Sequence, residues 1–186
     1  GRDGGAVLVC PGVHGEQVRI DPERELTLTS WSGDAGDTVL DGGNGQTVVY
    51  LDSDSVVSLS HLTIRNGEGE DFSGTPSAGG VRCLAKHLEM FDCVLHDNNA
   101  GQESVGYGGA IEVYGPDAAV GPRSIRIESC TFEDNSALYQ GGAISAHGNK
   151  DISLEIIDSV FTGNTSGYTG GAVYLQGWFG AAIELR

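Results

Sequence analysis

Apolar and polar residues alternate along this chain in short runs, and the runs recur. Ile125 and Ile127, then Cys130 and Phe132, alternate with Arg126 and Thr131. That period of two is expected of a strand with one buried face. Leu154, Ile156, Ser159 and Phe161 repeat the arrangement, as do Leu88, Met90, Cys93 and Leu95, and Val57, Leu59, Leu62 and Ile64. The alternation breaks after the second apolar residue of each run, which predicts a corner between two strands. A third strand follows a glycine pair: Ile111 and Val113, Ile144 and Ala146, Val173 and Leu175 face one way, and Glu112, Ser145 and Tyr174 the other.

The runs keep a common register. Phe132 and Asn135 recur as Phe161 and Asn164, 29 residues on, and as Leu95 and Asn98, 37 residues back. Val81, Ile111, Ile144 and Val173 form a second column, and Leu40 and Val49 extend both columns upstream. A self-similar unit of about 30 residues is the mark of a stacked repeat in which each unit completes its neighbour's core. Three short strands and three corners per unit predict an all-β right-handed parallel β-helix of about 5–6 turns, with identical columns stacked at ~4.8 Å. It reads as a single domain over 1–186, with N-terminal turns over 1–56 and the regular repeats over 57–186.

The repeated residues have mechanical roles in this fold. Gly141 and Gly142, like Gly170 and Gly171, supply positive φ or a close approach at a corner that a side chain would obstruct. Asn98, Asn135 and Asn164 follow a strand, where an inward amide can bond the corner backbone and the amide of the next turn.

The same residues resemble a known family. The GGA-[IV] element stands as Gly109, Ala110, Ile111, as Gly142, Ala143, Ile144, and as Gly171, Ala172, Val173; the FxxN element runs from Phe132 to Asn135 and from Phe161 to Asn164. Together they resemble the repeat of chlamydial polymorphic outer membrane proteins and related bacterial surface proteins, over roughly 57–186. Leu95 replaces the phenylalanine in one unit, and Ala78, Gly79, Gly80, Val81 is a degenerate glycine element. The resemblance implies a parallel β-helix displayed outside the cell, as an adhesin or an autotransporter passenger. The first 50 residues are similar to the opening turns of pectin-lyase-like β-helices, which occur in enzymes and inert surface proteins alike.

Composition narrows the partners. The 186 residues carry 26 acidic and 10 basic side chains, a net charge of −16 that repels nucleic-acid phosphates. No apolar run is long enough to span a bilayer, and no signal peptide opens the chain at Gly1. Ile183, Glu184 and Leu185 begin a further turn, so the repeat pattern is expected to continue past Arg186. Acidic clusters such as Asp52 with Asp54, and Glu68, Glu70 and Asp71, leave calcium open as a cofactor, but none has EF-hand or nonapeptide spacing and no ligand set follows from them. Cys10, Cys83, Cys93 and Cys130 lack zinc spacing and fall at apolar strand positions; Cys93 and Cys130 share a column, and free stacked thiols are expected.

Two sets of outward residues are candidates for function. The column Ser58, Glu89, Arg126, Glu155, Glu184 places two carboxylates around an arginine on neighbouring turns. In a carbohydrate-active β-helix, a polysaccharide lyase or a glycoside hydrolase, Glu89, Arg126 and Glu155 would be the catalytic group. The competing reading of that column is a surface charge ladder. Tyr107, Tyr139 and Tyr168 lie just before the glycine element, Tyr107 displaced by one residue, and predict an aromatic stack beside a corner that could hold a sugar ring or a protein partner. The insertions Gly67–Ala78 and Ala100–Gly106 leave the same corner and are the other expected place for recognition. The function expected is a non-catalytic bacterial surface or secreted module acting in adhesion or as a stalk, with a cell-surface protein or glycan as its partner; the carbohydrate-active enzyme is the alternative.

Overall fold

In the computed structural model, residues 4–21, 25–43, 45–69, 78–101, 106–115, 122–148, 152–177 and 182–186 are described. They form strands and no helix. The first turn contributes β1 (Gly5–Val9), β2 (Gly12–His14) and β3 (Val18–Ile20); the second, β4 (Glu25–Ser30), β5 (Thr38–Asp41) and β6 (Val49–Leu51); the third, β7 (Val56–Ser60), β8 (Thr63–Arg65) and β9 (Val81–Cys83). The fourth holds β10 (His87–Phe91), β11 (Val94–His96), β12 (Asn99–Ala100) and β13 (Ile111–Gly115), and the fifth β14 (Arg123–Glu128), β15 (Thr131–Glu133), β16 (Ser136–Ala137) and β17 (Ile144–Gly148). The sixth comprises β18 (Ile152–Ile157), β19 (Val160–Thr162), β20 (Thr165–Ser166) and β21 (Val173–Gly177), and β22 (Ala182–Leu185) pairs onto it.

Every pairing is parallel and joins each strand to its counterpart one turn away. The first sheet runs β1-β4-β7-β10-β14-β18-β22, the second β2-β5-β8-β11-β15-β19, and the third β3-β6-β9-β13-β17-β21. This is the right-handed parallel β-helix expected from the repeat, and the register is the one the columns predict. Leu40, Ile64, Leu95, Phe132 and Phe161 stack across the second sheet, and Val49, Val81, Ile111, Ile144 and Val173 across the third. A fourth sheet, β12-β16-β20, was not expected. Its strands are two residues long, too short for a period of two to be visible.

The three main sheets enclose one continuous apolar core, in which Leu59, Ile64, Leu95, Ile111, Ile127 and Phe132 are fully buried. Phe132 and Phe161 lie face to face, 4.7 Å between centroids and 6° from coplanar. An offset aromatic pair of this kind adds roughly 0.5–1.5 kcal/mol to the burial itself.

The breaks in alternation are single residues in the left-handed region. His61, Asp92, Ser129 and Asp158 turn the chain from the first sheet to the second, with φ of 53°, 48°, 55° and 46°. Asn66, Asp97, Asp134 and Gly163 turn it out of the second, with φ of 52°, 54°, 51° and 67°. Asp and Asn tolerate this conformation because a short polar side chain can bond locally, and glycine meets no Cβ clash. Part of the acidity of the chain is therefore corner chemistry.

The asparagine ladder forms as expected. Asn98 Nδ2 donates to Ile64 O at 3.0 Å and to Asn135 Oδ1 at 3.0 Å, while Asn135 Nδ2 donates to Leu95 O and Asn164 Oδ1, both at 2.9 Å. The Oδ1 atoms accept the backbone N–H of the turn before: Gly67 onto Asn98, Asn98 onto Asn135, and Asn135 onto Asn164, each at 3.1 Å. Asn98 and Asn135 have no exposed surface, so protein groups alone satisfy these amides.

Ion pairs fasten the outer surface of the early turns. Arg65 Nε donates to Asp41 Oδ2 at 2.8 Å, and Asn66 Nδ2 reaches the same carboxylate at 3.1 Å. Burial works to raise the Asp41 pKa, but hydrogen bonds from the Gly43 N–H, Arg65 and Asn66 outweigh it and hold the group below its ordinary value. A carboxyl depressed in the folded state stabilises the fold above its unfolded pKa of ~4, and that stabilisation disappears as pH falls through the lower folded value. Urea midpoints of wild type and Asp41→Asn should therefore differ at neutral pH, wild type the more stable, and converge in acid.

The four cysteines are unpaired; Cys10 is exposed and the other three are buried. Burial pushes the Cys83 thiol up to about 12. The hydrogen bond shared with Cys130, together with burial, pushes Cys93 up as well. These stacked thiols pack as small apolar side chains.

Candidate functional site

The tyrosine corner is built by the same stacking that builds the sheets. Tyr139 N donates to Gly106 O at 2.9 Å and Tyr168 N to Tyr139 O at 3.0 Å. Tyr107 pairs with Gln140, and Gln140 with Thr169. Although Tyr107 is one residue out of register, its ring reaches Tyr139 edge-on, with centroids 5.5 Å apart at 82°. Tyr139 and Tyr168 follow at 4.6 Å and 47°. Tyr168 ends the stack at 73% exposure.

A buried charge network lies behind that corner on the outward face of the third sheet. Register places Arg19, Tyr50, Arg82, Glu112, Ser145 and Tyr174 in one outward column. Arg82 Nη1 donates to Glu112 Oε2 at 2.6 Å, and His147 Nε2 lies 3.0 Å from Glu112 Oε1. Glu112 is only 2% exposed although it faces away from the core. The imidazole of His147 packs against Tyr107 at 4.4 Å and Tyr114 at 5.2 Å, and Arg82 sits over the Tyr114 ring at 5.7 Å. Burial, then the neighbouring Tyr139 and Glu112, raise the Tyr107 phenol above its ordinary value, so it remains a neutral hydrogen-bonding group. Ser145 is fully buried and its hydroxyl has no hydrogen-bond partner. It is not bonded to His147, so the three side chains do not form a nucleophilic triad.

The five histidines look scattered along the sequence, and this network is not evident there. A signal existed nonetheless. Glu112 and Ser145 occupy one column, and His147, two residues after Ser145, shares its outward face diagonally across from Glu112.

The outward ladder on the first sheet has the predicted register, and its side chains divide into two groups. Glu89 stacks between Ser58 and Arg126, and Glu155 between Arg126 and Glu184. The Arg126 guanidinium turns to Glu155 at 2.5 Å and to Glu128 at 2.7 Å, and these two hydrogen bonds raise its pKa further. Glu89 faces His87 instead, at 3.5 Å. The structure thus brings Arg126 and Glu155 together and leaves Glu89 out. Open grooves of about 460 and 220 Å³ flank Glu89, the larger reaching Glu25 and Gly5 and the smaller Phe91 and Glu128.

In the first acidic cluster both carboxylates are bound to cations. Asp52 pairs with Arg19 at 3.1 Å and Asp54 with Lys86 at 3.0 Å. Among the described residues no group of three His, Cys, Asp or Glu could hold a metal ion. Glu70 and Asp71, and the tips of both insertions, lie outside the described residues, but the necks of the insertions do not. A Cβ on Gly67 would come within 1.9 Å of Gly79 O, and one on Gly106 within 1.9 Å of Ala100 O, so each insertion closes on a backbone contact that admits only glycine.

Fold and corner together define a parallel β-helix with stacked tyrosines and a buried charge network at one outward corner. The family model of the Chlamydia polymorphic membrane protein (Chlamydia_PMP) repeat matches residues 129–147 and 158–176, which are the strand, asparagine and glycine elements of the fifth and sixth turns. Those two segments are similar to that repeat. Comparison with curated proteins and with solved structures found no match. No helix among the described residues is long and apolar enough to cross a membrane.

Proposed function

We propose that the chain is a non-catalytic β-helical module displayed on the bacterial surface, and that it acts in adhesion with the tyrosine corner as its contact surface. The observation that carries this reading is the stack of Tyr107, Tyr139 and Tyr168, which ends on a ring left 73% exposed by a rigid scaffold. Exposed tyrosines supply large amphipathic contact area at little conformational cost, and recognition concentrates where loops leave a rigid frame. The outward ladder fits the same reading, because the Arg126 cation is bound to its own neighbours.

The groove beside Glu89 is the observation that favours the carbohydrate-active enzyme. Purified protein offered immobilised glycans and intact cells, with reducing ends and unsaturated products measured in the supernatant, separates the two. The adhesive module binds and releases nothing. Product formation that disappears in Glu89→Gln or Glu155→Gln would replace it with the enzyme.

A further inference from the structure

Two cysteines meet inside the helix. Cys93 and Cys130 each follow the left-handed residue that turns the chain from the first sheet to the second, Asp92 at φ 48° and Ser129 at 55°. Register then sets one above the other: Thr131 N donates to Cys93 O and Val160 N to Cys130 O, both at 2.9 Å. In-register neighbours on parallel strands lie ~4.8 Å apart, inside the ~4.4–6.8 Å that disulfides span between Cα atoms. The two side chains share a hydrogen bond, which lowers the Cys130 pKa and raises that of Cys93. Each thiol also donates to a carbonyl of its own turn, Cys93 Sγ to Phe91 O at 3.4 Å and Cys130 Sγ to Glu128 O at 3.3 Å. Thiols are weak donors, so rotating either sulfur toward the other gives up little. The remaining cysteines stand apart: Cys83 stacks between Leu51 and Val113 in the third sheet, and Cys10 is exposed on the first turn.

From this contact we propose that Cys93 and Cys130 are a disulfide site, oxidised by a low-molecular-weight disulfide as the chain folds, and that the bond staples the fourth turn to the fifth. The free thiols of the structure are the reduced member of this couple. The Cys130 thiolate attacks one sulfur of oxidised glutathione and expels a glutathione thiolate; Cys93, deprotonated in turn, attacks Cys130 Sγ and expels the second. Two cysteine thiols become one disulfide, and their protons leave on two molecules of reduced glutathione. Both cysteines are buried once the turns have packed, so the exchange belongs to folding. The bond closes 37 residues of chain and lowers the entropy of the unfolded state. It forms where the chain folds in an oxidising compartment, and it does not depend on the adhesive reading.

Refolding the full chain from urea in oxidised glutathione, followed by acid quench, alkylation in denaturant and mass spectrometry, tests it. Cys10 and Cys83 should be alkylated, and Cys93 and Cys130 should not. Trypsin places the four cysteines on four different peptides, so the bond should appear as one species joining residues 87–123 to 127–150 that separates on reduction. The oxidised protein should melt about 10 °C above the reduced one. Cys130→Ser should lose both the linked species and the gain in melting temperature, whereas Cys10→Ser should keep both. The peptide map of wild type decides the pairing even if Cys130→Ser fails to fold. Four alkylated cysteines, glutathione retained on either thiol, a bond to Cys10 or Cys83, or an oxidised form that melts no higher than the reduced one overturns the proposal.

Discussion

Asn135→Ala should be among the most destabilising single substitutions in the chain, by about 3–5 kcal/mol. Truncation removes two accepted and two donated hydrogen bonds at once. The Asn98 backbone N–H and one Asn98 amide hydrogen lose Oδ1, while Leu95 O and Asn164 Oδ1 lose the hydrogens of Nδ2. Asn135 has no exposed surface, so water reaches these groups only if the corner opens. Each buried polar group left unpaired costs roughly 1–3 kcal/mol, and cooperative loss along the ladder prevents simple addition. Urea denaturation followed by circular dichroism reads the effect. A loss below about 1 kcal/mol would mean that the ladder is dispensable.

The second large effect is expected at the glycine of the same repeat. A Cβ on Gly142 would lie 2.1 Å from Gly171 O and 2.5 Å from Thr165 O, and both are backbone atoms of the next turn. No rotamer relieves such a contact, so Gly142→Ala must separate two turns of the third sheet. A loss of more than about 4 kcal/mol, or failure to fold, is the expected outcome.

These two sites show why so much of the fold was legible in the sequence. Stacking makes each buried position recur, so Phe132, Asn135 and Gly142 announce their roles by repetition with Phe161, Asn164 and Gly171. The alternation within each run then separates the face turned inward from the face turned outward. What stayed hidden does not repeat. The left-handed corners use His, Asp, Asn, Ser and Gly interchangeably, because the requirement is a backbone conformation and several side chains meet it. The strands β12, β16 and β20 are too short to carry a period.

The site was legible to a lesser degree for the same reason. The tyrosines were visible as a column because they nearly repeat, and the structure stacks them despite the slip at Tyr107. Sequence placed Glu89, Arg126 and Glu155 on adjacent turns, but side-chain direction decided their partners. Arg126 chose Glu128 on its own strand along with Glu155, while Glu89 turned to His87. The Glu112 and His147 pair needed both register and strand direction, since the two residues lie on different strands and are not directly opposite. It was within reach of the sequence once the third sheet was aligned.

We propose that the inward repeated residues build the helix and that the outward tyrosines of the corner contact a partner. Adherence of purified Tyr168→Ala to the surface that wild type binds tests it most directly, with melting temperature measured on the same preparation. The account predicts that adherence falls by about tenfold while melting stays within a degree or so of wild type. Undiminished adherence in Tyr168→Ala, with product release that depends on Glu89, would contradict it.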